Sequence, residues 1–298
     1  MKVKALLTLM GVVLIGAIIL HALHLDVLLW QNWKLNRQSM PAQGFNLGRY
    51  RVDIQALEIA GIDDDLSALT FNSATNSLFG VLNGRPLMVE LSLDGELLRE
   101  ISIQGVVDME GLTHVQNDLY VIAEERSQRL ILARISADTQ NLDVSDAPSL
   151  MIGLDQVGNK GFEGLSWDGQ RQRLLVVKER DPLRLLAVEG FVDADPQRAM
   201  NISIPEVNPA ASPRLFMSDL SSLTLHDPTG HMLLLSDESH MVVEYDAQGS
   251  PLSLLGLWRG MSGLRASVPQ AEGLAVDDQQ RIYIVSEPNL FYRFVPGE

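Results

Sequence analysis

The sequence predicts an all-β fold, a five-bladed β-propeller carried on an N-terminal transmembrane helix, and three observations lead to it. A five-residue pattern recurs five times at blade-sized intervals. Two further apolar, strand-like runs follow each copy, and no apolar stripe of helical period runs beside them. At the N-terminus stands an apolar run without a single charge.

Residues 1–4 contain Lys2 and Lys4. Basic residues flanking a span stay inside, so this terminus is expected in the cytoplasm. From Ala5 to Leu20 only Thr8 has a polar side chain, and the apolar character continues with weak interruptions through His21, His24 and Asp26. A span over residues 5–28 is long enough for a hydrocarbon core of ~30 Å, with Asp26 and Trp30 at the far interface. A cleaved signal peptide competes with this reading, but His21-Ala22-Leu23-His24 offers no small-x-small cleavage site. In a bacterium the expected arrangement is single-pass in the inner (plasma) membrane, with the C-terminal domain in the periplasm. The polar residues within 29–47 read as a linker, and 48–298 as the propeller.

The five copies are Asp65-Leu66-Ser67-Ala68-Leu69, Asp108-Met109-Glu110-Gly111-Leu112, Gly161-Phe162-Glu163-Gly164-Leu165, Asp219-Leu220-Ser221-Ser222-Leu223 and Gln270-Ala271-Glu272-Gly273-Leu274. Their third positions, residues 67, 110, 163, 221 and 272, lie 43, 53, 58 and 51 apart. A polar turn after each copy leads into a second strand (Leu78–Val81, Leu119–Ile122, Leu174–Val177, Met232–Leu235, Ile282–Val285). A third strand follows (Leu87–Leu91, Leu130–Ile135, Leu183–Val188, Met241–Tyr245, Leu290–Phe294). The last unit stops one outer strand short, whereas Tyr50 to Ile59 alternates like a strand with no blade of its own. Pairing these two closes the ring and hides its edges. An irregular β-sandwich is the alternative.

Composition narrows the chemistry. Of 298 residues, 46% are hydrophobic and 20% charged, enough apolar material for a sizeable core. Asp and Glu outnumber Lys and Arg 38 to 23, a net charge of −15 that speaks against nucleic acid as a partner. With no cysteine, thiolate metal sites and cysteine nucleophiles are excluded.

In a propeller the start of each inner strand and the end of the hairpin-linked second strand lie at the same end of the channel. Here both places are acidic. Glu110, Glu163 and Glu272 open three inner strands, with Ser67 and Ser221 in the other two. The second strands end at Asn83, Glu125, Glu179, Glu238 and Glu287. Two charges ~8 Å apart at an effective dielectric of ~20 repel by ~2 kcal/mol, so three inner glutamates alone cost on the order of 6 kcal/mol. Protonation, salt bridges to Arg126 and Arg180, or a bound hard cation would offset this. An oxygen-only ligand set suits Ca²⁺ better than zinc or copper. The candidate metal ligands are therefore Glu110, Glu125, Glu163, Glu179, Glu238, Glu272 and Glu287. The glycines after the inner glutamates have a separate explanation, a small residue where strands crowd.

The Glu-Gly-Leu inner strands, the Lys178-Glu179 turn and the closing stretch from Gln270 through Ser286-Glu287-Pro288 to Phe294 resemble the YjiK-like, SdiA-regulated family, over about residues 48 to 298. The resemblance implies a five-bladed propeller distantly similar to NHL-repeat proteins, an N-terminal membrane segment and a calcium site. It implies no established enzymatic activity.

Two functions follow as expectations. The first is a membrane-anchored periplasmic calcium-binding propeller that binds a small-molecule or protein ligand at its acidic end. The second is a calcium-dependent hydrolase of esters, lactones or phosphoesters, with the metal as Lewis acid and His114 or His240 as general base. The stretch from Pro205 to Pro213 reads as a long loop and a candidate lid.

Overall fold

The computed structural model describes residues 2–38, 44–63, 65–153, 161–180, 182–193, 201–207 and 215–297. The first strand after the N-terminal helices, β1 (Arg51–Glu58), is set aside for the end of the ring. Blade one is β2 (Leu66–Asn72), β3 (Ser77–Leu82), β4 (Leu87–Leu91) and β5 (Leu97–Gln104). Blade two is β6 (Met109–Gln116), β7 (Leu119–Glu124) and β8 (Arg129–Arg134), then β9 (Asn141–Asp143) and β10 (Ser149–Met151). Of these last two, β10 completes blade two, while β9 adds in parallel to the edge of blade one.

Blade three is β11 (Phe162–Asp168), β12 (Arg173–Lys178) and β13 (Arg184–Glu189). Isolated bridges from Leu186 to Glu206 and Glu189 to Ser203 supply a fragment of its fourth strand. The start of the expected lid is thus a sheet edge, and residues 208–213 of it lie outside the described residues. Blade four is β14 (Ser222–His226), β15 (His231–Ser236), β16 (Met241–Tyr245) and β17 (Pro251–Gly256). Blade five is β18 (Ala271–Val276), β19 (Ile282–Ser286) and β20 (Leu290–Val295).

The ring closes as the sequence predicts. β1 lies antiparallel on β20, with Arg51 opposite Val295 and Glu58 opposite Leu290. The innermost strands β2, β6, β11, β14 and β18 touch one another in that order and return to β2. The fourth residue of each inner motif is small, Ala68, Gly111, Gly164, Ser222 or Gly273, because adjacent blades are closest there. A Cβ on Gly164 would meet the Leu223 backbone nitrogen at 2.7 Å, and one on Gly273 would meet the Ala68 carbonyl carbon of the next blade at 2.9 Å. The core lies between the blades, where apolar residues from facing sheets interleave.

A hydroxyl belt ties the inner strands together. Thr70 Oγ1 accepts His114 N–H at 3.1 Å, Thr113 Oγ1 accepts Trp167 N–H at 3.1 Å, and Ser166 Oγ accepts Leu225 N–H at 2.9 Å. At the next junction Ser222 Oγ accepts Leu274 N–H at 3.2 Å. Inner strands of different blades share no ladder, so these side chains satisfy N–H groups that would otherwise lack partners.

At the N-terminus, α1 (Lys2–Ala22) contains a 19-residue apolar segment, Lys4–Ala22, none of which is buried. It is long and apolar enough to cross a bilayer, as a signal sequence also is. His24, at φ +52, ends it, and α2 (Leu25–Leu35) begins. Where a linker is expected, α2 packs on the propeller instead. Leu28 and Leu35 are buried in a cluster with Leu220, Met241 and Val243, and Phe45, Leu47 and Tyr50 enter the core near β17 and β20. The polar residues of this stretch conceal the buried face, Leu28 and Leu35, at helical spacing.

Thr113→Val should lower stability by about 1 kcal/mol, because Trp167 N–H loses its acceptor. Urea unfolding should show a lower midpoint with an unchanged slope. An unchanged midpoint would mean that the belt adds nothing.

Candidate metal centre

Four of the five inner strands begin with a β-bulge. The ladder slips between Leu66 and Ala68, Met109 and Gly111, Phe162 and Gly164, and Ala271 and Gly273. The residue skipped each time is Ser67, Glu110, Glu163 or Glu272. A bulge frees its extra residue from pairing and re-aims its side chain, and here it turns these side chains to the channel.

The ends of the second strands are held by a matching bond. Asn83, Glu125, Glu179 and Glu287 each donate their N–H to the carbonyl two residues before the inner motif's third position, at Asp65, Asp108, Gly161 and Gln270. In blade four the Asp219 carboxylate replaces that carbonyl and accepts Glu238 N–H at 3.2 Å. Asp237 accepts Ala271 N–H at 2.9 Å, tying blade four to blade five.

These devices deliver all seven predicted glutamates, Glu110, Glu125, Glu163, Glu179, Glu238, Glu272 and Glu287, to one cavity of about 430 Å³. Asp108, Asp219 and Asp237 join them, making ten carboxylates against two guanidinium groups, Arg126 and Arg180. Sequence reasoning missed the three aspartates. Asp108 and Asp219 each stand two residues before an inner-strand opening and Asp237 immediately precedes Glu238, so position in the repeat was the available signal.

Arginine pairing relieves only part of this crowding. Arg180 donates to Glu238 Oε1 at 2.6 Å and to Glu179. Arg126 Nε lies 2.9 Å from Asp108 Oδ2, a buried oxygen with no aligned hydrogen bond. Glu110 accepts from the Asn83 amide, Glu287 from Gln270, and Glu125 accepts Gly161 N–H at 3.2 Å. Among the described residues no hydrogen bond or ion pair reaches Glu163 or Glu272.

Carboxylates elsewhere contrast sharply. Glu124 is held by Arg129, Asp168 by Arg173 and Asp277 by Arg281.

Protonation equilibria record the difference. Burial, and then the Glu125 charge, pushes Glu110 up to about 8. Burial followed by Glu287 pushes Glu272 up to about 9. Glu163, at the centre, is raised well above the ordinary carboxylate range by burial and then by Glu110, Glu125 and Glu272. Burial also raises Glu125 and Asp219.

Two trios place one carboxylate oxygen each within 4.8 Å of the others, Asp108 with Glu110 and Glu125, and Glu125 with Glu163 and Glu179. Oxygens at about 2.3–2.6 Å on opposite sides of a calcium ion lie about 5 Å apart, so the spacing within either trio is compatible with one ion. Glu125 belongs to both. The acidic cluster can therefore bind a metal.

The family model described as SdiA-regulated matches residues 42–295. The chain belongs to the SdiA-regulated family. Three solved structures are similar at low identity. A luciferin-regenerating enzyme is similar at 11% identity and a TM-score of 0.50, over 83% of this chain and 97% of that one. A gluconolactonase of Xanthomonas campestris is similar at 11% identity and a TM-score of 0.46, over 82% and 96%. A chain of a nidogen/laminin complex is similar at 12% identity and a TM-score of 0.47, over 75% and 72%.

Neither expected histidine reaches the acidic cavity. His114 lies at the other end of its strand, in a separate cavity of about 650 Å³, with Nε2 3.0 Å from Asn117 O. The strand-face alternation that aligns it with Glu110 in the sequence is broken by the bulge and by the length of β6. His240 packs edge-on against Trp258, with ring centroids 4.4 Å apart. Burial lowers the pKa of both.

A carboxyl whose pKa is raised on folding binds its proton more tightly in the native state. Its stabilisation is complete below the unfolded value and is lost as pH rises through the folded one. For Glu110 and Glu272 that window opens at the ordinary 4.5 and closes near 8 and 9. The cation-free protein should therefore melt at steadily lower temperature from about pH 5 to about pH 9, and Glu163→Gln should flatten the decline. A melting temperature that rises across this window would contradict the assignment.

Proposed function

We propose that this protein is a membrane-anchored propeller whose acidic channel mouth binds a divalent cation, calcium, and with it a ligand or partner on the periplasmic side. The observation that supports this reading is the gathering of ten carboxylates around one cavity, with Glu163 and Glu272 lacking any counter-charge among the described residues. Asp108, Glu110, Glu125, Glu163 and Glu179 would hold the ion. When bound, the cation supplies positive charge that lets these groups ionise at neutral pH and offers a Lewis-acidic face to an oxygen ligand.

The chain's own residues shape what reaches it. Arg180, fixed between Glu179 and Glu238, places a guanidinium at the rim. An anionic group on the partner would meet Arg126 and Arg180, while the acidic wall repels anions elsewhere. The membrane anchor would be residues 5–22 of α1, with residues 1–4 in the cytoplasm and 48–298 outside it, as the apolar helix and its basic flank support; it stops short of the expected residue 28 because α2 begins at Leu25 and buries Leu28 against the propeller.

A hydrolase would need a base beside the ion. With both histidines elsewhere, the groups among the described residues that could move a proton there are raised carboxyls, the same ones the ion would engage, so the binding reading is the better supported.

Calcium titration of the full-length protein after chelation should raise its melting temperature, by about 2.7 kcal/mol of stabilisation at a hundredfold excess over Kd. The rise should be larger at pH 8 than near pH 5.5, where protons compete for the same oxygens. Glu125→Gln, which touches both trios, should abolish it. A melt unmoved by millimolar calcium at pH 8 would refute the metal site.

A further inference from the structure

We propose that α2 rests in the membrane interface and holds blade four against the bilayer, so that the propeller is fixed in orientation and not swung on a loose tether. The proposal rests on the membrane-anchor reading of α1. Its evidence lies in the two faces of α2. The inner face, Leu28 and Leu35, is buried against the propeller. The outer face is apolar as well, with Leu29, Trp30 and Trp33 exposed by 51, 60 and 48%.

Trp30 and Trp33 stack with ring centroids 5.1 Å apart, and the Arg37 guanidinium lies 4.0 Å over the Trp33 ring. Lys34 is exposed beside them. An aromatic stack edged by cations suits the headgroup region, where indole rings partition and Lys and Arg meet lipid phosphates. In water the same face would be an unexplained apolar patch on a protein of net charge −15.

Continuity argues for lipid as the occupant. Only Leu23 and His24 separate α2 from the exposed apolar helix α1. The junction is also tied down, since His24 Nδ1 lies 3.2 Å from Ser218 Oγ, which in turn accepts from Ser239 Oγ at 3.3 Å. Ser218 adjoins Asp219 of the acidic cavity, so the chain leaves α1 on the side of the metal-binding mouth.

The test uses full-length protein reconstituted into phosphatidylcholine/phosphatidylglycerol vesicles whose acyl chains are brominated near the headgroups, with intrinsic fluorescence as readout. The chain has four tryptophans, and α1 contains none. Trp30 and Trp33 should be quenched, and a Trp30→Phe/Trp33→Phe variant, which keeps the face apolar, should lose that quenching while still floating with the vesicles. Floating protein whose fluorescence is unquenched, or is quenched equally in the variant, would overturn the interfacial placement while leaving the anchor intact. Protein that does not float would overturn the anchor reading and this proposal with it.

Discussion

Like charge gathered in a confined space is the constraint on which the rest of this structure depends. Circular closure brings carboxylates from all across the chain to one mouth, where burial and mutual repulsion hold three of them well above their ordinary pKa. A protein has three answers to such crowding, protonation, arginine pairing or a cation. Arg180 answers for Glu179 and Glu238, and Arg126 lies against Asp108. Among the described residues Glu163 and Glu272 have no arginine partner, and the geometry around Glu125 suits an ion. The local architecture is organised to preserve this arrangement, with bulges that aim the inner residues and matching backbone bonds that pin the ends of the second strands.

Circular symmetry also explains why the ring tolerates variation around that mouth. Blade four has Ser221 instead of an inner glutamate, and there Asp219 serves the backbone by accepting Glu238 N–H. Blade one pairs Ser67 with Asn83, whose amide donates to Glu110 of the next blade. The acidic density is therefore lopsided, greatest around Glu125 and Glu163, between blades two and three. The opposite mouth is different in kind, a wider cavity lined by Phe71, Trp167, His114 and His226.

Much of this was legible in the sequence, because a repeat carries long-range information in one dimension. Five copies of one motif place residues 67, 110, 163, 221 and 272 in equivalent positions whatever the loops between them do. The same equivalence identifies β1 as the missing strand of blade five. Features that break the repeat were hidden. A bulge has no sequence signature of its own, so strand alternation put His114 on the face of Glu110 when the bulge sends them to different cavities. Position in the repeat could have placed Asp219 and Asp237 at the mouth, but the individual hydrogen bonds through which they act are not readable from spacing. The docking of α2 was masked by its polar residues, although Leu28 and Leu35 lie two helical turns apart.

The most direct measurement is anomalous diffraction from crystals of the full-length protein grown with calcium and with a lanthanide in its place. The account predicts a density peak in the acidic cavity beside Glu125, with carboxylate oxygens at about 2.3–2.6 Å. A map with no peak there, and with the glutamates sharing protons in hydrogen bonds to one another, would contradict it.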